Sequence, residues 1–491
     1  MTAALPESAT RLRGQHPTFS FKGYSISPVD HGLRLEFRFS IEPSIDFSPQ
    51  LTIPLQDYSQ AASLAGDPIV QRLTFLIGMV ELLSYWKLSC SPRIEIEAGH
   101  LSDDEIPFWE KLIRKGLGEF FFLNKIPPSL DFSIIPTAPK INWHGTAAPV
   151  ARRGDQSTLV LVGGGKDSIV TLELLRQNLP IQSSSNFDSL AALVLNPIPA
   201  SMAAIHTAQY PPPLVIQRTI DPKLRELNSK GYLNGHTPFS ALLAFVSTLT
   251  AYANGYRRVV ASNEASASEG NVEYHGFEIN HQYSKSFEFE RDFRGYITKL
   301  AIPTEYLSFL RPLNELQICA LFSDMPVYHS IFRSCNREQT LIARSRCADS
   351  SSAPARSGWC AQCPKCVFTF LCLRCFLDDV QLLSIFGEDI RAQPAFDSVV
   401  LELAGFSEHK PFECVGTYEE VRACVSHQLA NDASALSSSD AALRLRHELT
   451  RTHSAKIGDL LNRWNPHHFL DPALLEPLRA ALRPLQQRFS P

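Results

Sequence analysis

Thr158-Leu-Val-Leu-Val-Gly-Gly-Gly-Lys-Asp-Ser168 carries an apolar strand into three glycines and then into Lys-Asp-Ser, which opens an amphipathic helix, Ile169-Val-Thr-Leu-Glu-Leu-Leu175. Residues without Cβ let backbone amides close around an anion, and a helix start adds the positive end of its dipole. The stretch therefore reads as a phosphate cradle. It is not the Walker loop, because no glycine stands five residues before Gly165-Lys166 and Asp167 occupies the place where that loop needs serine or threonine.

Outward from the cradle, apolar strands alternate with helical segments from about 155 to 330. Leu190-Ala-Ala-Leu-Val-Leu195, Leu214-Val-Ile-Gln-Arg218 and Arg258-Val-Val-Ala-Ser-Asn263 read as strands, and Pro238 to Asn254 as a helix. Buried strands separated by helices predict an α/β fold with a doubly wound parallel sheet, whose ligands bind at the carboxyl ends of the strands. The glycine loop lies at one such end and Asn263-Glu264 at another. The cradle resembles the Ser-Gly-Gly-x-Asp-Ser loop (PP-loop) of the ATP pyrophosphatases, of adenine nucleotide alpha-hydrolase type. Those enzymes cleave ATP between the α- and β-phosphates to adenylate a substrate. Gly163 stands where their leading serine would be, so one hydroxyl ligand is missing.

At 491 residues the chain exceeds one ordinary core. Three parts are expected: an α+β N-terminal domain over 1–150, a nucleotide domain over 151–375, and a mostly helical C-terminal region over 376–491 with a Ser-rich break at Ser434 to Ser439. In the first part, Leu33 to Phe39 alternates as a half-buried strand, Ile69 to Trp86 has helical spacing, and Ser102-Asp-Asp-Glu105 fits a capping box before a helix running from Trp109 to Phe122. Pro136 to Pro139 and Trp143 to Pro149 read as the linker. With 44% hydrophobic and 20% charged residues and a net charge of −4, the composition is globular and offers no global field for nucleic acid or anionic membrane. A small-molecule partner is expected. No leader pattern and no run of 18 apolar residues is present, so a cytoplasmic protein is expected, its eleven cysteines reduced or metal-bound.

Trp359-Cys360-Ala-Gln-Cys363-Pro-Lys-Cys366 places three thiols at two-residue gaps, and Cys335 in Ser334-Cys335-Asn336 offers a fourth sulfur, 24 residues before Cys360. Four thiolates suit a structural Zn²⁺; an iron–sulfur cluster and inert buried thiols are the competing readings. Cys372 and Cys375 follow on an apolar helix, Val367 to Leu377, and read as packed thiols. The Ser-Cys-Asn and Cys-x2-Cys-x2-Cys pattern also resembles the zinc site of the 7-cyano-7-deazaguanine synthases, where the first gap is shorter.

Taken in order, Lys115-Gly-Leu-Gly-Glu-Phe-Phe121, Gly163 to Ser168, Ser262-Asn-Glu-Ala-Ser-Ala-Ser-Glu-Gly-Asn271, the cysteine motif and Lys410-Pro-Phe-Glu-Cys-Val-Gly-Thr417 resemble the UDP-N-acetylmuramoyl-L-alanyl-L-glutamate epimerases of MurL type, over roughly 100–420. The resemblance implies ATP-dependent epimerisation of the terminal L-Glu of UDP-MurNAc-L-Ala-L-Glu through an acyl-adenylate, in peptidoglycan precursor synthesis. AMP and diphosphate would be released. ATP and Mg²⁺ are then the expected cofactors. The amides of Gly163, Gly164 and Gly165 would hold the departing pyrophosphate, Lys166 would oppose its charge, Ser168 would add a hydroxyl and Asn263 would join the nucleotide site. Asp167 is read as a partner of Mg²⁺ or as a helix cap. For proton transfer the candidates are Glu264, Cys414, His236, His275 and His281, with Glu264 and Asn271 favoured because a polar Ser-Asn-Glu leaving a buried strand is poor packing material. Two readings compete: another AMP-forming ligase or nucleobase-modifying enzyme, and a protein that binds ATP without chemistry.

Overall fold

The computed structural model describes residues 5–140, 153–154, 156–178, 190–335 and 358–489. The Trp143 to Pro149 stretch and Asn336 lie outside them. The described residues form thirteen strands: β1 (Thr18–Val29), β2 (Gly32–Ile41), β3 (Ile45–Phe47), β4 (Gln50–Pro54), β5 (Arg93–Ile96), β6 (Ser133–Pro136), β7 (Thr158–Leu161), β8 (Leu190–Leu195), β9 (Leu214–Thr219), β10 (Arg258–Ala261), β11 (Val272–Tyr274), β12 (Phe277–Ile279) and β13 (Glu305–Ser308). Eleven of them form one mixed sheet in the order β13-β10-β7-β8-β9-β4-β2-β1-β5-β6, with β3 on β2.

The run β13-β10-β7-β8-β9 is parallel throughout. It is covered on both faces, as an all-parallel run must be. Alternation along the strands separates the two cores: Leu159 and Val259 belong to one, Val160 and Val260 to the other. Helices Pro68–Trp86 and Phe239–Ala253 build the first, and helix Lys166–Asn178 with Glu315–Ser323 and the C-terminal helices builds the second. The order of the five strands reverses between β7 and β10, so the crevice of the sheet opens between their carboxyl ends. The expected strands at 190–195, 214–218 and 258–263 are found, the last ending at Ala261.

The expected division near residue 150 is crossed by hydrogen bonds of the sheet. β4 pairs antiparallel with β9, Leu51 opposite Arg218, and Arg218 reaches into the N-terminal core to pair with buried Glu81, Nη2 to Oε1 at 2.8 Å. Helix Pro68–Trp86 is capped by Asp67, whose carboxylate accepts from the amides of Ile69 and Val70. It is apolar almost all round, which for a helix means burial on every side. By length and composition it could cross a membrane, but 89% of its apolar window is buried inside this fold. No other described helix is long and apolar enough to do so.

Two expectations are corrected. The capping box at Ser102 is half formed: Glu105 accepts from the Ser102 amide at 3.0 Å, but the Ser102 hydroxyl donates to that same carboxylate instead of capping a backbone amide. Glu105 is already committed to buried Arg72 and to the Tyr296 hydroxyl. The helix that follows is also not continuous to Phe122 but breaks at Leu117 into Ile106–Gly116 and Gly118–Leu123. The C-terminal region is helical as expected, and the Ser-rich stretch separates helix Tyr418–Asn431 from Asp440–Arg451.

Candidate functional site

The glycine loop leaves β7 and turns into helix Lys166–Asn178 at the switch point. Gly164 has φ +85°, and a Cβ there would stand 2.6 Å from the amide nitrogen of Ser201, so both torsion and space demand glycine. Around Gly163 there is no heavy atom within 4 Å of the Cβ position, so that position opens onto free space. The Ser168 hydroxyl donates to Gly165 O at 2.9 Å and accepts from the Gly164 amide at 3.2 Å, which fixes the loop on itself. A cavity of about 190 Å³ sits over the loop, lined by Gly163, Gly165, Asp167 and Ser168, by Asn263 and Glu264 from the end of β10, and by Lys285, Arg333, Ser334 and Lys365. The structure thus brings together every nucleotide-site residue named from the sequence except Gly164 and Lys166 at the cavity wall.

Lys166 points inward. Its side chain is 3% exposed, and Nζ is held by Asp167 Oδ1 at 2.5 Å and by Glu315. The carboxylates of Asp167, Glu264 and Glu315 converge, one oxygen of each within 4.8 Å of the others. Such a cluster titrates as a unit. Burial foremost, and then the neighbouring Asp167 and Glu264, push Glu315 up to about 8 against the pull of Lys166. Burial also raises Glu264, with Asp167 adding to it. For Asp167 the cations Lys166 and Lys365 overcome burial and hold the carboxyl below its ordinary value. Oxygen donors at this spacing could hold a hard divalent cation.

A second cluster adjoins the first through Lys285, whose Nζ is 3.2 Å from Cys414 Sγ. His281 Nδ1 lies 2.5 Å from Glu119 Oε2, and the imidazole is an electrostatic neighbour of Cys414. His236 Nδ1 is 3.7 Å from the same Glu119 oxygen, and the two imidazole rings are 4.5 Å apart. Burial opposes the Cys414 thiolate, but Lys285, Lys365 and His281 outweigh it and bring the thiol well below its usual range. For His281 burial is likewise overcome, by Cys414 and Glu119, and the group rises to about 9. His236, desolvated and beside His281, is lowered well below its ordinary value and stays neutral.

Of the other sequence candidates, His275 is exposed at φ +51° in the tight turn between β11 and β12, away from both clusters. Asn271 is buried and structural. Its amide donates to Pro411 O at 2.8 Å and its oxygen accepts from the His281 amide at 2.8 Å, tying the Cys414 loop to the hairpin. Asn263 donates to the Ser308 hydroxyl at 3.0 Å, a bond from the segment after β10 to the end of β13. Sequence reasoning did not single out Lys285, Glu119, Glu315, Lys365 or Arg333. Of these, Lys365 stood inside the cysteine motif and Glu119 inside the Lys115 to Phe121 motif. There a Cβ on Gly116 would meet Pro238 at 3.0 Å and one on Gly118 would meet Ile279 at 3.2 Å, so the two glycines let this helix lie against the His236 and His281 segments.

The sulfurs of Cys335, Cys360, Cys363 and Cys366 all lie within 4.8 Å of one another. Cys363 and Cys366 are 3.4 Å apart and Cys360 and Cys366 3.7 Å. A tetrahedral Zn–S length of 2.3 Å implies sulfur separations of about 3.8 Å, so the four could hold such an ion. Cys372 and Cys375 are buried in the helical core, with Cys372 3.9 Å from Cys424.

A larger cavity of about 540 Å³ has no lining residue in common with the first, but its walls include Ala265, the chain neighbour of Glu264, and Ser286, the chain neighbour of Lys285. Against known proteins, residues 10–309 match the model of the MurL N-terminal domain and 331–456 that of the MurL C-terminal domain. The chain belongs to the MurL family. A Micromonospora relative is 32% identical over 92% of this chain and 96% of its own length. Relatives from Salinispora tropica (34%, 76% of each chain) and Xanthomonas oryzae pv. oryzae (32%, 78% of this chain and 80% of its own) are also similar. All three are named UDP-N-acetyl-alpha-D-muramoyl-L-alanyl-L-glutamate epimerase. No solved structure matches the chain.

Proposed function

We propose that this MurL-family protein is an ATP-dependent epimerase that inverts the terminal glutamate of UDP-MurNAc-L-Ala-L-Glu in the cytoplasm, releasing AMP and diphosphate, on a sheet of ATP-pyrophosphatase type. The observation that carries the reading is the meeting, at the switch point of a parallel sheet, of a glycine cradle with Asp167, Glu264 and Lys285, in a chain whose relatives bear that epimerase name.

The chemistry explains why ATP is consumed. Removing the α-proton beside an ionised carboxylate would place a second negative charge next to the first. Joining that carboxylate to AMP neutralises it and lets the developing enolate delocalise, after which the proton can return to the other face. The open Gly163 and Gly165 amides receive the departing diphosphate, with Lys285 and Lys365 opposing its charge. Lys166 acts differently from a direct phosphate ligand: it holds Asp167 and Glu315 in place from beneath. Asp167, Glu264 and Glu315 would hold Mg²⁺, which supplies charge neutralisation at the phosphates. Glu264 on the cavity wall and Cys414, reached through Lys285, are the groups that would face the activated carboxyl, and the 540 Å³ cavity, walled by chain neighbours of Glu264 and Lys285, would give room for a substrate far larger than glutamate. Cys335, Cys360, Cys363 and Cys366 would hold a structural Zn²⁺, which would cross-link the residues around Cys335 to the Cys360 to Cys366 turn.

The test is turnover in D₂O. With ATP and Mg²⁺, the UDP-muramoyl dipeptide should yield D-glutamyl product carrying deuterium at Cα, together with AMP and diphosphate. Inversion in the absence of ATP would overturn the adenylate chemistry, and AMP release with a deazapurine acid instead of the dipeptide would favour the ligase reading.

A further inference from the structure

Cys414 is placed as a nucleophile is placed. Its sulfur lies 3.2 Å from the Lys285 ammonium and within the electrostatic reach of the His281 imidazole, which is oriented from behind by Glu119 at 2.5 Å. A thiolate between an ammonium and a carboxylate-backed imidazolium is an arrangement that ionises a cysteine for nucleophilic attack. The cluster is also fixed. Asn271 grips Pro411 O and the His281 amide, and Gln282 Nε2 donates to Val415 O at 3.2 Å, so the sulfur and the imidazole are bolted to one another through the backbone. Lys285 belongs to both places, lining the cavity over the glycine loop while it contacts the sulfur.

Resting on the adenylating reading above, we propose that Cys414 attacks the carbonyl carbon of the activated glutamate, so that the α-carboxyl is carried as a thioester during inversion. The thiolate lone pair forms the C–S bond while the C–O bond to the phosphate breaks, and AMP leaves with that electron pair; no proton moves in this step. Water later cleaves the thioester, returning the thiolate and a free carboxylate, so that ATP, water and L-substrate become AMP, diphosphate and D-product. Two cations beside the sulfur make it a weak base toward a C–H bond, yet a soft thiolate keeps much of its nucleophilicity as its basicity falls. A thioester carbonyl also accepts α-carbanion charge well, because sulfur donates little into it. The thiol is correspondingly held ionised by Lys285, Lys365 and His281 despite its burial.

The experiment uses the full chain with ATP, Mg²⁺ and the UDP-muramoyl dipeptide, quenched in acid and read by intact-protein and peptide mass. Wild type should gain the mass of the substrate minus one water on the peptide that contains Cys414, and neutral hydroxylamine should remove it. C414A should lose the adduct and at least 1000-fold of the inversion rate while still exchanging labelled diphosphate into ATP. C414S should accumulate a longer-lived oxygen ester on the same peptide, a result that a misfolded variant could not give. Inversion by C414A at a tenth of the wild-type rate or more would overturn the proposal. So would C414A releasing AMP at the wild-type steady-state rate with unchanged L-glutamate, which would make the sulfur a base instead. Absence of AMP formation by wild type would instead refute the adenylating reading itself.

Discussion

Substituting Lys166 by Met tests the placement of this lysine beneath the cradle. Its Nζ is the cation shared by Asp167 and Glu315, and both Lys166 and Glu315 are 3% exposed. Breaking a buried pair by removing one partner costs about 3 to 5 kcal/mol, because the remaining charge is left uncompensated. Two features reduce that figure here. Glu315 already sits near 8 and can take up a proton, and Asp167 is 25% exposed and can draw in water. A loss of about 3 kcal/mol is therefore expected. The unfolding entropy of a chain of 491 residues is roughly 1 kcal/mol per kelvin, so Tm should fall by about 3 °C. Adding Glu315→Gln should restore at least about 1 kcal/mol, and a double-mutant cycle by denaturant unfolding measures that coupling. AMP formation should fall in the single variant because Asp167 loses its anchor. A Lys166→Met protein with unchanged stability and no coupling to Glu315 would refute the reasoning and return the lysine to the phosphates.

Zinc analysis of protein purified without chelator should give one equivalent, and Cys363→Ser should lower both zinc content and Tm; metal-free protein of full stability would remove the Cys335, Cys360, Cys363, Cys366 site. Gly164→Ala should be destabilised by about 1 to 3 kcal/mol and lose AMP formation, since its Cβ would meet the Ser201 backbone at φ +85°. Gly163→Ser, which restores a hydroxyl at an open position, should keep the wild-type Tm and form AMP at least as fast, and a loss of both would show that the loop is not open there. His281 rises on folding from about 6.5 to about 9, so its stabilisation is complete below pH 6.5 and is lost as pH climbs through 9. The stability gap between wild type and His281→Gln should narrow by roughly 3 kcal/mol over that window, and a gap that widens with pH would contradict the charged imidazole.

The parallel half of the fold was legible because its evidence is local: an apolar run such as Leu190 to Leu195 and a glycine turn at Gly164 each report their own backbone. What the sequence could not convey is pairing across distance. β4 and β9 are separated by more than 150 residues, and nothing in Gln50 to Pro54 announces that the N-terminal strands will continue the parallel sheet. The site divides in the same way. Gly163 to Ser168, Asn263 and Glu264 stand at strand ends and could be found by that position. Lys285 follows no motif, on a single turn of 3₁₀ helix, and gains its meaning only from Cys414, 129 positions away. Lys166 misled for a physical reason: a lysine after three glycines has two anionic destinations, a bound phosphate or a buried carboxylate, and Glu315 lies too far along the chain to be weighed.

In the proposed adenylating reaction, the ordering of the two clusters would keep ATP from being wasted. An activated acyl group exposed to water hydrolyses without inversion, so the chemistry that follows activation must begin close by. Lys285 provides that closeness, because one ammonium faces the cavity over the glycine loop and the Cys414 sulfur together. Its partners on the two sides, Glu264 and Asp167 on one and Cys414 on the other, all raise its affinity for the proton despite burial. In the proposed reaction, departure of diphosphate would lower the anionic charge on the cavity side and favour the interaction of the ammonium with the sulfur. Neutralising this residue should therefore do more than weaken ATP binding. Lys285→Met is expected to raise the ratio of AMP formed to glutamate inverted above the wild-type value. Counting AMP against deuterium incorporated at Cα measures that ratio, and an unchanged ratio at reduced turnover would confine Lys285 to the phosphates.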